Sequence, residues 1–509
     1  MPDPDLVLTK LPTHVGGLDF IFEGGIPEGR TTLVAGTAGS AKTVMAAQYL
    51  AAGIREAGQS GVFVTFEETP QDITRNVASF GWDVPAWERA GRWRYVDASP
   101  SPDQPGVDVA GSFDLGALLA RLEHAVRQVG ASRVAIDSVS AVFGHLPDPL
   151  VLRHELFRIV QALRSMGVTS IITAERADEM GPITRYSLEE FVTDNVILLR
   201  NVPEGEKRRR TVEVLKFRGA PHRKGEYPFS IIPGVGIVLI PLSTSGLLGG
   251  PSSAQRITSG NTELDAMCGG GFFRDSIVLV SGATGTGKTL LTTEYVRGGA
   301  RVGERCLLIA FEEGREQLLR NAGGWGVDFE QLEAQGTLRI VCEHPEASSL
   351  EDHLIHVRDL MREYRPHRMA VDGLSALERS STNRGFREFV FGLTSFVKQQ
   401  GVNGLLTSTT PTLLGGGSVT EAHISSITDS VILLRYVEVG GEMRRGIMVL
   451  KMRGSGHDRR IRDFSIDGQG MHIGPPFRSI TGILAGNPRH VTDEEILRLD
   501  ELFGDAAHE

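Results

Sequence analysis

The chain has 509 residues, of which 40% are hydrophobic, and its formal net charge is −10. At about 150 residues per domain, this length predicts about two to four domains, each large enough to bury a core. The acidic balance argues against a general nucleic-acid-binding or membrane-binding surface, because neutralising phosphates requires clustered cations. This net charge is still compatible with a local basic patch.

The cysteines and the apolar runs indicate the cellular compartment of the protein. The three cysteines, Cys268, Cys306 and Cys342, lack metal-type spacing, and so low a count is typical of a reducing compartment. No apolar run approaches the roughly 18 residues of a membrane span, and residues 1–10 lack the regions of a signal peptide. We expect a cytoplasmic protein that does not contact membranes.

Strand and helix patterns alternate along the first half of the chain. Buried strands are predicted at residues 31–36, 61–67, 132–138, 169–175 and 195–200, and helices at 42–58 and 115–129. This order predicts an α/β fold, a mostly parallel twisted sheet flanked by helices. Residues 208–219 and 229–240 predict a hairpin or added antiparallel strands.

The sequence repeats itself once. Residues 34–43, 64–69, 134–141, 192–200 and 214–219 return, in the same order, as residues 280–289, 309–314, 369–376, 427–435 and 449–454. A repeat this long predicts two copies of a whole domain rather than solenoid repeats. We assign the domains to residues 1–245 and 246–478 and a tail to 479–509. The Gly-, Ser- and Pro-rich residues 241–255 suit a linker.

The second half contains a complete phosphate-loop pattern, GxxxxGK[ST], at residues 282–289, between a predicted strand and a predicted helix. Backbone N–H groups of such a loop surround phosphates, and the helix N-terminus adds partial positive charge. We expect Lys288 to reach the β- and γ-phosphates of ATP and Thr289 to ligate Mg²⁺. The other predicted nucleotide contacts of this loop are Thr284, Gly285, Thr286, Gly287 and Leu290. The alternative is a glycine-rich strand–helix turn.

The first half contains a variant of this loop. Its predicted nucleotide contacts are Gly36, Thr37, Ala38, Gly39, Ser40, Ala41, Lys42 and Thr43, with Thr43 also expected on Mg²⁺. Ala41 replaces the last glycine. If that position needs a positive φ, alanine costs about 1 kcal/mol, and otherwise the change is harmless.

Acidic residues follow the strands near each loop. Asp137 and Asp372 end apolar strands, which is where a carboxylate that organises Mg²⁺ belongs, although such an Asp can also cap a helix. The pairs Glu67–Glu68 and Glu312–Glu313 follow another strand. Adjacent residues of a strand point to opposite faces, so at most one of each pair is expected to act as the general base. The alternative is a solvated strand end.

A basic set recurs after the last predicted strands, with Lys216, Arg218 and His222 in the first half and Lys451, Arg453 and His457 in the second. The lysine and arginine of each set stand at alternate strand positions and so share a face, and in a ring of such domains they could contact the phosphates of a neighbour's nucleotide. A solvated hairpin face is the default interpretation.

These motifs, together with residues 428–458, resemble the KaiC family of circadian-clock ATPases and autokinases over roughly residues 11–492. The resemblance implies two tandem RecA-like P-loop NTPase domains in a two-tiered homohexamer, with ATP and Mg²⁺ between neighbouring subunits. It implies slow ATP hydrolysis in the N-terminal ring. It implies serine/threonine autokinase and autophosphatase activity in the C-terminal ring.

The resemblance also assigns residues. It implies that Ser425 and Ser426 accept phosphate; these align with Glu190 and Phe191 in the first half, which carry no hydroxyl. It makes Glu312 the base and a metal-site residue, and it places Ser79 and Trp325 beside adenine. The contacts to a neighbour's nucleotide would be Lys451, Met452, Arg453, Ser455 and His457, with Lys216, Phe217, Arg218 and His222 as the first-half set. Arg379 and Thr420 match residues near the acceptor loop.

The resemblance implies a KaiB-like partner on the N-terminal ring. The tail differs from the familiar one, so an activator like KaiA and a regulatory role for residues 493–503 stay open. Two other hypotheses are a RecA-like nucleic-acid-dependent ATPase (a recombinase or helicase-type motor) and a nucleotide-binding scaffold without activity. The charge of −10 speaks against the first. The intact Lys288, Glu312 and Asp372 speak against the second.

Overall fold

The computed structural model describes residues 8–98, 115–143, 149–184, 189–204, 207–239, 253–410, 424–439, 441–477, 480–481, 483 and 489–490. The chain forms two compact units, Met1–Pro241 and Leu242–Glu509. Each unit is built on one nine-stranded sheet.

The first unit alternates strands and helices. Its strands are β1 (Lys10–Leu11), β2 (Ile26–Pro27), β3 (Thr31–Gly36), β4 (Ser60–Thr65), β5 (Trp93–Asp97), β6 (Ala131–Asp137), β7 (Thr169–Glu175), β8 (Asn195–Glu204), β9 (Lys207–Phe217), β10 (Glu226–Ile232) and β11 (Gly236–Leu239). Its helices are α1 (Leu18–Ile21), α2 (Lys42–Ala57), α3 (Pro70–Ala78), α4 (Val84–Arg89), α5 (Leu115–Val129), α6 (Val139–Phe143), α7 (Pro149–Ser165) and α8 (Glu189–Val192).

The large sheet of the first unit has the strand order β11-β10-β9-β8-β3-β7-β6-β4-β5. From β8 to β5 neighbouring strands are parallel, and β9, β10 and β11 add in antiparallel fashion. Strand β3 is buried along its whole length between β7 and β8. The loop that follows β3 therefore leaves the centre of the carboxyl edge of the sheet.

The second unit repeats this order of elements. Its strands are β12 (Arg256–Ile257), β13 (Phe272–Phe273), β14 (Ile277–Gly282), β15 (Cys306–Ala310), β16 (Leu338–Cys342), β17 (Arg368–Asp372), β18 (Asn403–Thr409), β19 (Ser430–Val439), β20 (Glu442–Met452), β21 (Arg462–Asp467), β22 (Gly470–Pro476), β23 (Ile480–Thr481) and β24 (Arg489–His490). Its helices are α9 (Thr262–Met267), α10 (Lys288–Arg301), α11 (Arg315–Gly324), α12 (Phe329–Ala334), α13 (Leu350–Tyr364), α14 (Leu374–Arg379) and α15 (Asn383–Gln399), with a 3₁₀ helix at Ile424–Ser426.

The second large sheet has the order β16-β15-β17-β18-β14-β19-β20-β21-β22, with β14 in the place of β3. Its strands are parallel from β16 to β19 and antiparallel from β19 to β22. The predicted fold class, a mostly parallel sheet flanked by helices in each half, is confirmed. So is the antiparallel addition after the parallel strands.

Apolar side chains explain why the helices pack on these sheets. In the first unit one cluster joins α2 to a face of the sheet through residues such as Leu50 and Phe63, and another joins α5 and α7 to the other face through Leu122 and Leu156. Burial of aliphatic and aromatic side chains on both faces is what a central parallel sheet requires. In the part of the chain that the structure describes, no helix combines the length and apolar composition needed to cross a membrane.

Candidate functional site

The second phosphate loop joins β14 to α10 and needs its glycines. Gly285 and Gly287 have φ values of 79° and 105°, in the left-handed region that glycine adopts without a steric penalty. A Cβ on Gly282 would lie 2.5 Å from the carbonyl oxygen of Leu434 and 2.8 Å from Oγ1 of Thr286. A larger residue at any of these positions would strain the loop, and its backbone N–H groups would no longer line one concave surface.

The first phosphate loop has the same shape between β3 and α2. A Cβ on Gly36 would lie 2.2 Å from Oγ of Ser40, which donates to the carbonyl of Thr37 as Thr286 does to that of Ala283. Ala41 precedes the helix with a φ of 75°. Position 41 therefore does need a positive φ, and alanine strains the backbone there. The sequence alone could not decide whether this strain is present.

The loop lysines lie over their own loops. Nζ of Lys42 donates to the carbonyl of Thr37 at 3.0 Å, and Nζ of Lys288 donates to the carbonyls of Gly282 and Ala283 at 2.9 and 3.0 Å. Burial lowers the pKa of both lysines, and neighbouring carboxylates oppose this shift. Each half therefore holds a half-buried ammonium group at the point where phosphates would bind.

Each loop threonine bonds to the aspartate at the end of β6 or β17, which lies two places along the sheet from the strand that precedes the loop. Oγ1 of Thr43 donates to Oδ2 of Asp137 at 2.7 Å, and Oγ1 of Thr289 donates to Oδ2 of Asp372 at 2.9 Å. Burial raises the pKa of Asp372, although hydrogen bonds from threonines favour its ionised form. The aspartates face the phosphate loops, as expected for carboxylates that organise a metal ion.

A second threonine holds the other oxygen of each aspartate, and sequence reasoning missed it. Thr173, on β7, bonds to Oδ1 of Asp137, and Thr407, on β18, donates to Oδ1 of Asp372 at 2.5 Å. The usable signal was the recurrence of threonine at the same place in both halves, on the strand beside the phosphate-loop strand. These hydroxyls fix the orientation of the carboxylates.

The two glutamates of each pair have different partners. Glu67 accepts from Oγ of Ser138 at 2.9 Å, and Glu312 accepts from Nη2 of Arg379 at 2.9 Å. These partners follow the aspartates in sequence, and the charges of Glu67 and Glu312 act on the loop lysines. The first glutamate of each pair therefore faces the phosphate loop.

The second glutamates face a neighbouring helix instead. Glu68 accepts from Nδ2 of Asn76 at 2.8 Å, on α3, and Glu313 accepts from Nδ2 of Asn321 at 3.0 Å, on α11. Burial, followed by the charge of the nearby aspartate, raises the pKa of both carboxyl groups. This division favours Glu67 and Glu312 as the bases.

A cavity of about 500 Å³ opens beside the second phosphate loop. It is lined by Thr284 of the loop, by Glu312 and Arg379, and by Pro345 and Glu346 from the segment after β16. A polar, half-open space of this size next to the candidate base can admit both a terminal phosphate and an attacking hydroxyl.

The candidate phosphate acceptors lie in the 3₁₀ helix Ile424–Ser426, where Ser425 is half-buried and Ser426 exposed. Lys451 donates to the carbonyls of Ser425 and Thr428 at 2.9 and 2.7 Å, and Arg453 donates to that of Ser426 at 3.0 Å. In the first half Lys216 donates in the same way to the carbonyls of Glu190 and Thr193, at 2.8 and 2.7 Å. Within one chain these cations hold the turn that carries the acceptors.

The remaining predicted contacts of the first half lie at or after the end of β9, except for Ser79, which follows α3. The ring of Phe217 stacks on that of Phe22 with centroids 5.3 Å apart, and His222 lies 5.6 Å from Phe217. Arg218 is exposed, and its N–H donates to Asn195. Ser79 is exposed, and its carbonyl accepts from the N–H of Gly234 at 2.8 Å.

In the second half Met452 and Leu290 are buried. Trp325 is half-buried at the end of α11 and packs on the core. Ser455 bonds to Arg256, and His457 is half-buried. Thr420 and residues 493–503 lie outside the described residues.

The side chains fit a magnesium nucleotide. Among the described residues, no group of three His, Cys, Asp or Glu side chains could hold a metal ion by itself. Mg²⁺ commonly takes only one or two protein oxygens and completes its shell with phosphates and water. The threonine hydroxyl and aspartate carboxylate beside each loop supply such a donor set, and the loop lysine supplies charge for the phosphates.

Comparisons with known proteins agree over both halves. A family model described as the KaiC ATPase matches residues 11–244 and 257–477. The circadian clock protein KaiC3 of Synechocystis sp. is 61% identical over 97% of this chain and 98% of the relative. The circadian clock oscillator protein KaiC of Thermostichus vulcanus is 51% identical, covering 96% and 93%. The KaiC of Picosynechococcus sp. is 50% identical, covering 97% and 95%.

Proposed function

The chain belongs to the KaiC family of ATPases, with two tandem RecA-like domains, and from that premise we propose that it is an ATP-dependent serine/threonine autokinase, autophosphatase and slow ATPase. The proposed assembly is a cytoplasmic homohexamer that acts as a clock or signalling core. The observation that carries the proposal is the repeated lysine, threonine, aspartate and glutamate set. An acceptor turn with two serines accompanies that set in the second half alone.

In the first domain the proposed reaction is ATP hydrolysis. Lys42 neutralises charge on the phosphates, and Thr43 with Asp137 would hold Mg²⁺, which would supply positive charge for the phosphate oxygens. Glu67 takes a proton from the attacking water. Ser138 keeps that carboxylate beside the loop through its 2.9 Å hydrogen bond.

In the second domain the proposed acceptor is a serine hydroxyl. Its oxygen forms a bond to the γ-phosphorus of ATP, the bond between that phosphorus and the β–γ bridging oxygen breaks, and ADP leaves. Glu312 receives the hydroxyl proton, Lys288 holds the phosphates, and the Thr289–Asp372 pair would hold Mg²⁺. In the reverse direction the bond between the phosphorus and the serine oxygen breaks, water or bound ADP accepts the phosphoryl group, and the serine hydroxyl is restored.

Subunit contacts complete the proposed sites. Lys451, Arg453, Ser455 and His457, with Lys216, Arg218 and His222 in the first domain, would face the nucleotide of a neighbouring subunit in a ring. A protein like KaiB is the proposed partner of the N-terminal ring, and dependence on an activator like KaiA stays open. Support comes from the relatives named for the circadian clock.

The autokinase proposal is tested by intact mass measurements on the full chain with Mg-ATP. The parent should gain one and then two phosphates, and the S425A and S426A variants should each stop at one. The S425A/S426A double variant and K288A should gain none. A parent that gains no phosphate, or a double variant that gains as much as the parent, would overturn the proposal.

The ATPase proposal is tested in a K288A background, so that only the first loop turns over ATP. Changing both Glu67 and Glu68 to glutamine should remove most of the hydrolysis, since a positioned base contributes about 10²–10⁴-fold to a rate. The comparison of E67Q with E68Q assigns the base, and Glu67 is expected to matter more. Unaltered hydrolysis in the double variant would place the base elsewhere.

The competing hypothesis is a nucleic-acid-dependent motor on the same RecA-like core. Membership of the KaiC family favours the clock-type function over that alternative. Single-stranded DNA that stimulates ATP turnover several-fold would favour the motor. We expect turnover to be insensitive to DNA.

A further inference from the structure

Glu294 is a buried carboxylate that the proposed chemistry does not use. It lies on α10, the helix that begins at the loop lysine, and is only 2% exposed. Its Oε1 accepts from the backbone N–H of Met471 at 2.8 Å, and its Oε2 accepts from Nδ2 of Asn261 at 3.1 Å. Asn261 caps α9 and also donates to the carbonyl of Met471 at 2.7 Å. The carboxylate thus joins α10 to α9 and β22.

The hairpin formed by β21 and β22 packs against the phosphate loop. A Cβ on Gly287 would lie 3.0 Å from Cδ1 of Ile466 and 3.4 Å from Cε of Met471. The hairpin's turn also approaches the segment beside Trp325, because Gly468 O lies 3.8 Å from where a Cβ on Gly326 would be. The position of this hairpin therefore sets the space available on one side of the second phosphate loop.

The backbone opposite Glu294 is shaped to receive it. Gly470 has a φ of 124°, and a Cβ there would lie 2.3 Å from Oε1 of Glu294. A glycine at this position lets the carboxylate reach the N–H of Met471. A side chain at 470 would push the hairpin away from α10.

The first domain makes the same connection with a neutral side chain. Gln48 occupies the place of Glu294, accepts from the N–H of Ile237 at 2.6 Å and donates to the carbonyl of Ile237 at 3.0 Å. In the second domain Asn261 supplies the bond to the carbonyl, so two N–H donors point at residue 294. A carboxylate accepts from both, whereas an amide would turn its own N–H₂ towards one of them.

The groups around Glu294 only partly favour the ionised form of its carboxyl group. The charged groups that face Glu294 are Arg297 of the same helix, whose Nη2 lies 3.7 Å from Oε1, and His472 of β22, while α9 contributes the neutral Asn261. Burial raises the pKa of Glu294, and the bonds from Met471 and Asn261 oppose that shift. Protonation would place an O–H against an N–H donor and break one of the two hydrogen bonds.

We propose that Glu294 is a positioning residue whose carboxylate fixes the β21–β22 hairpin against the second phosphate loop and so sets the nucleotide affinity of the second domain. The inference rests on the proposed function, because it concerns the same nucleotide site. It implies that loss of the carboxylate raises KM for ATP and leaves kcat for phosphate transfer nearly unchanged. It also implies that nucleotide binds more weakly to the second domain at acid pH.

The experiment uses the full chain with K42A, so that only the second loop binds a fluorescent ADP analogue. Adding E294A should weaken binding about tenfold, as loss of hydrogen bonds to a charged group does. E294Q keeps the size of the side chain and one acceptor, and it should weaken binding about threefold. The matched control is Q48A, which removes the equivalent contact in the disabled first domain and should leave the measured affinity unchanged.

The pH profile separates positioning from a general effect on folding. As the pH is lowered from about 8 towards the ordinary pKa of a glutamate carboxyl, about 4.3, the K42A protein should lose affinity, and K42A/E294Q should change much less. Since His472 is present in both proteins, the difference belongs to Glu294. A K42A/E294A protein that binds within twofold of K42A, or a K42A/E294Q protein with the pH profile of K42A, would overturn the inference. Failure of K42A itself to bind would instead overturn the proposed function.

Discussion

Ala41 and Gly287 occupy the same place in the two phosphate loops, and both lie in the left-handed region, with φ values of 75° and 105°. Only glycine adopts that conformation without a penalty, and a Cβ costs about 1 kcal/mol there. The first loop therefore holds strain that the second loop lacks.

Replacing Ala41 with glycine should relieve that strain and raise the free energy of unfolding of the first domain by about 1 kcal/mol. The measurement is denaturant unfolding followed by tryptophan fluorescence, because Trp82, Trp87 and Trp93 all lie in the first unit. The reverse change, G287A, should destabilise the second domain, since its Cβ would also crowd Ile466. As a control, G323A, inside α11 with open space around it, should be neutral or stabilising. An A41G protein no more stable than the parent would contradict the strain.

Replacing Arg379 with alanine should slow phosphate transfer about fivefold, because Glu312 loses the partner that holds it beside the loop. The effect is modest because the arginine side chain is 65% exposed, and exposed ion pairs contribute little. E312Q should slow phosphate transfer about 10²–10⁴-fold, as expected for the proposed base. Single-turnover phosphorylation by mass spectrometry gives both rates. The first-domain counterpart is S138A, which should slow ATP hydrolysis and leave phosphorylation unchanged. If R379A and E312Q slowed phosphate transfer equally, the arginine would do more than position Glu312.

Replacing Asp372 with asparagine should raise the melting temperature of the nucleotide-free protein at neutral pH. Burial raises the pKa of this carboxyl above its value in the unfolded chain. Its favourable contribution is therefore complete below the unfolded pKa and is lost as pH rises through the folded pKa. The advantage of D372N should shrink towards about pH 4, where the parent is protonated as well.

Mg-ATP should reverse that order, because it stabilises the parent by binding and D372N much less. D467N is the matched control, since hydrogen bonds lower the pKa of the exposed Asp467 and removing its charge should not raise stability at neutral pH. Calorimetric melting temperatures at several pH values provide the measurement. A D372N protein that melts below the parent at neutral pH without nucleotide would contradict the argument.

Replacing Lys451 with methionine should loosen the acceptor turn, because the ammonium group holds the carbonyls of Ser425 and Thr428. Faster hydrogen exchange at residues 424–428 is expected, together with a phosphorylation rate about tenfold lower. K216M makes the same change in the first domain and should leave exchange at the acceptor turn as it is. Unchanged exchange in K451M would show that these hydrogen bonds do not order the turn.

The sequence contained enough to predict the sheets and the loops. Continuous apolar runs such as residues 31–36 and 277–282 are typical of buried strands between helices, and the glycine spacing of the second loop has few other uses. Because the chain contains the domain twice, each of these patterns could be compared between two copies. The contacts of Lys216 with Glu190 and of Lys451 with Ser425 match the alignment of the halves, which placed Ser425 opposite Glu190.

Other features of the site depend on contacts between residues far apart in the chain, which the sequence pattern does not reveal. A threonine on a strand, such as Thr407, is ordinary, and its bond to Asp372 depends on the register of two parallel strands. The sequence could not show whether Ala41 has a positive φ, and the backbone of the structure shows that it does. The different partners of Glu67 and Glu312 follow from a serine in one half and a glycine in the other after the aspartate. The roles of Ser425, Ser426 and the basic set stay predictions.

The lysine of each loop already has bonding partners, because its ammonium group bonds to carbonyl oxygens of the loop. A phosphate that enters must compete with those oxygens, so binding is an exchange of partners. The affinity then measures a difference between two sets of bonds. A substitution that merely tilts a loop carbonyl can tighten or weaken binding without touching the ligand.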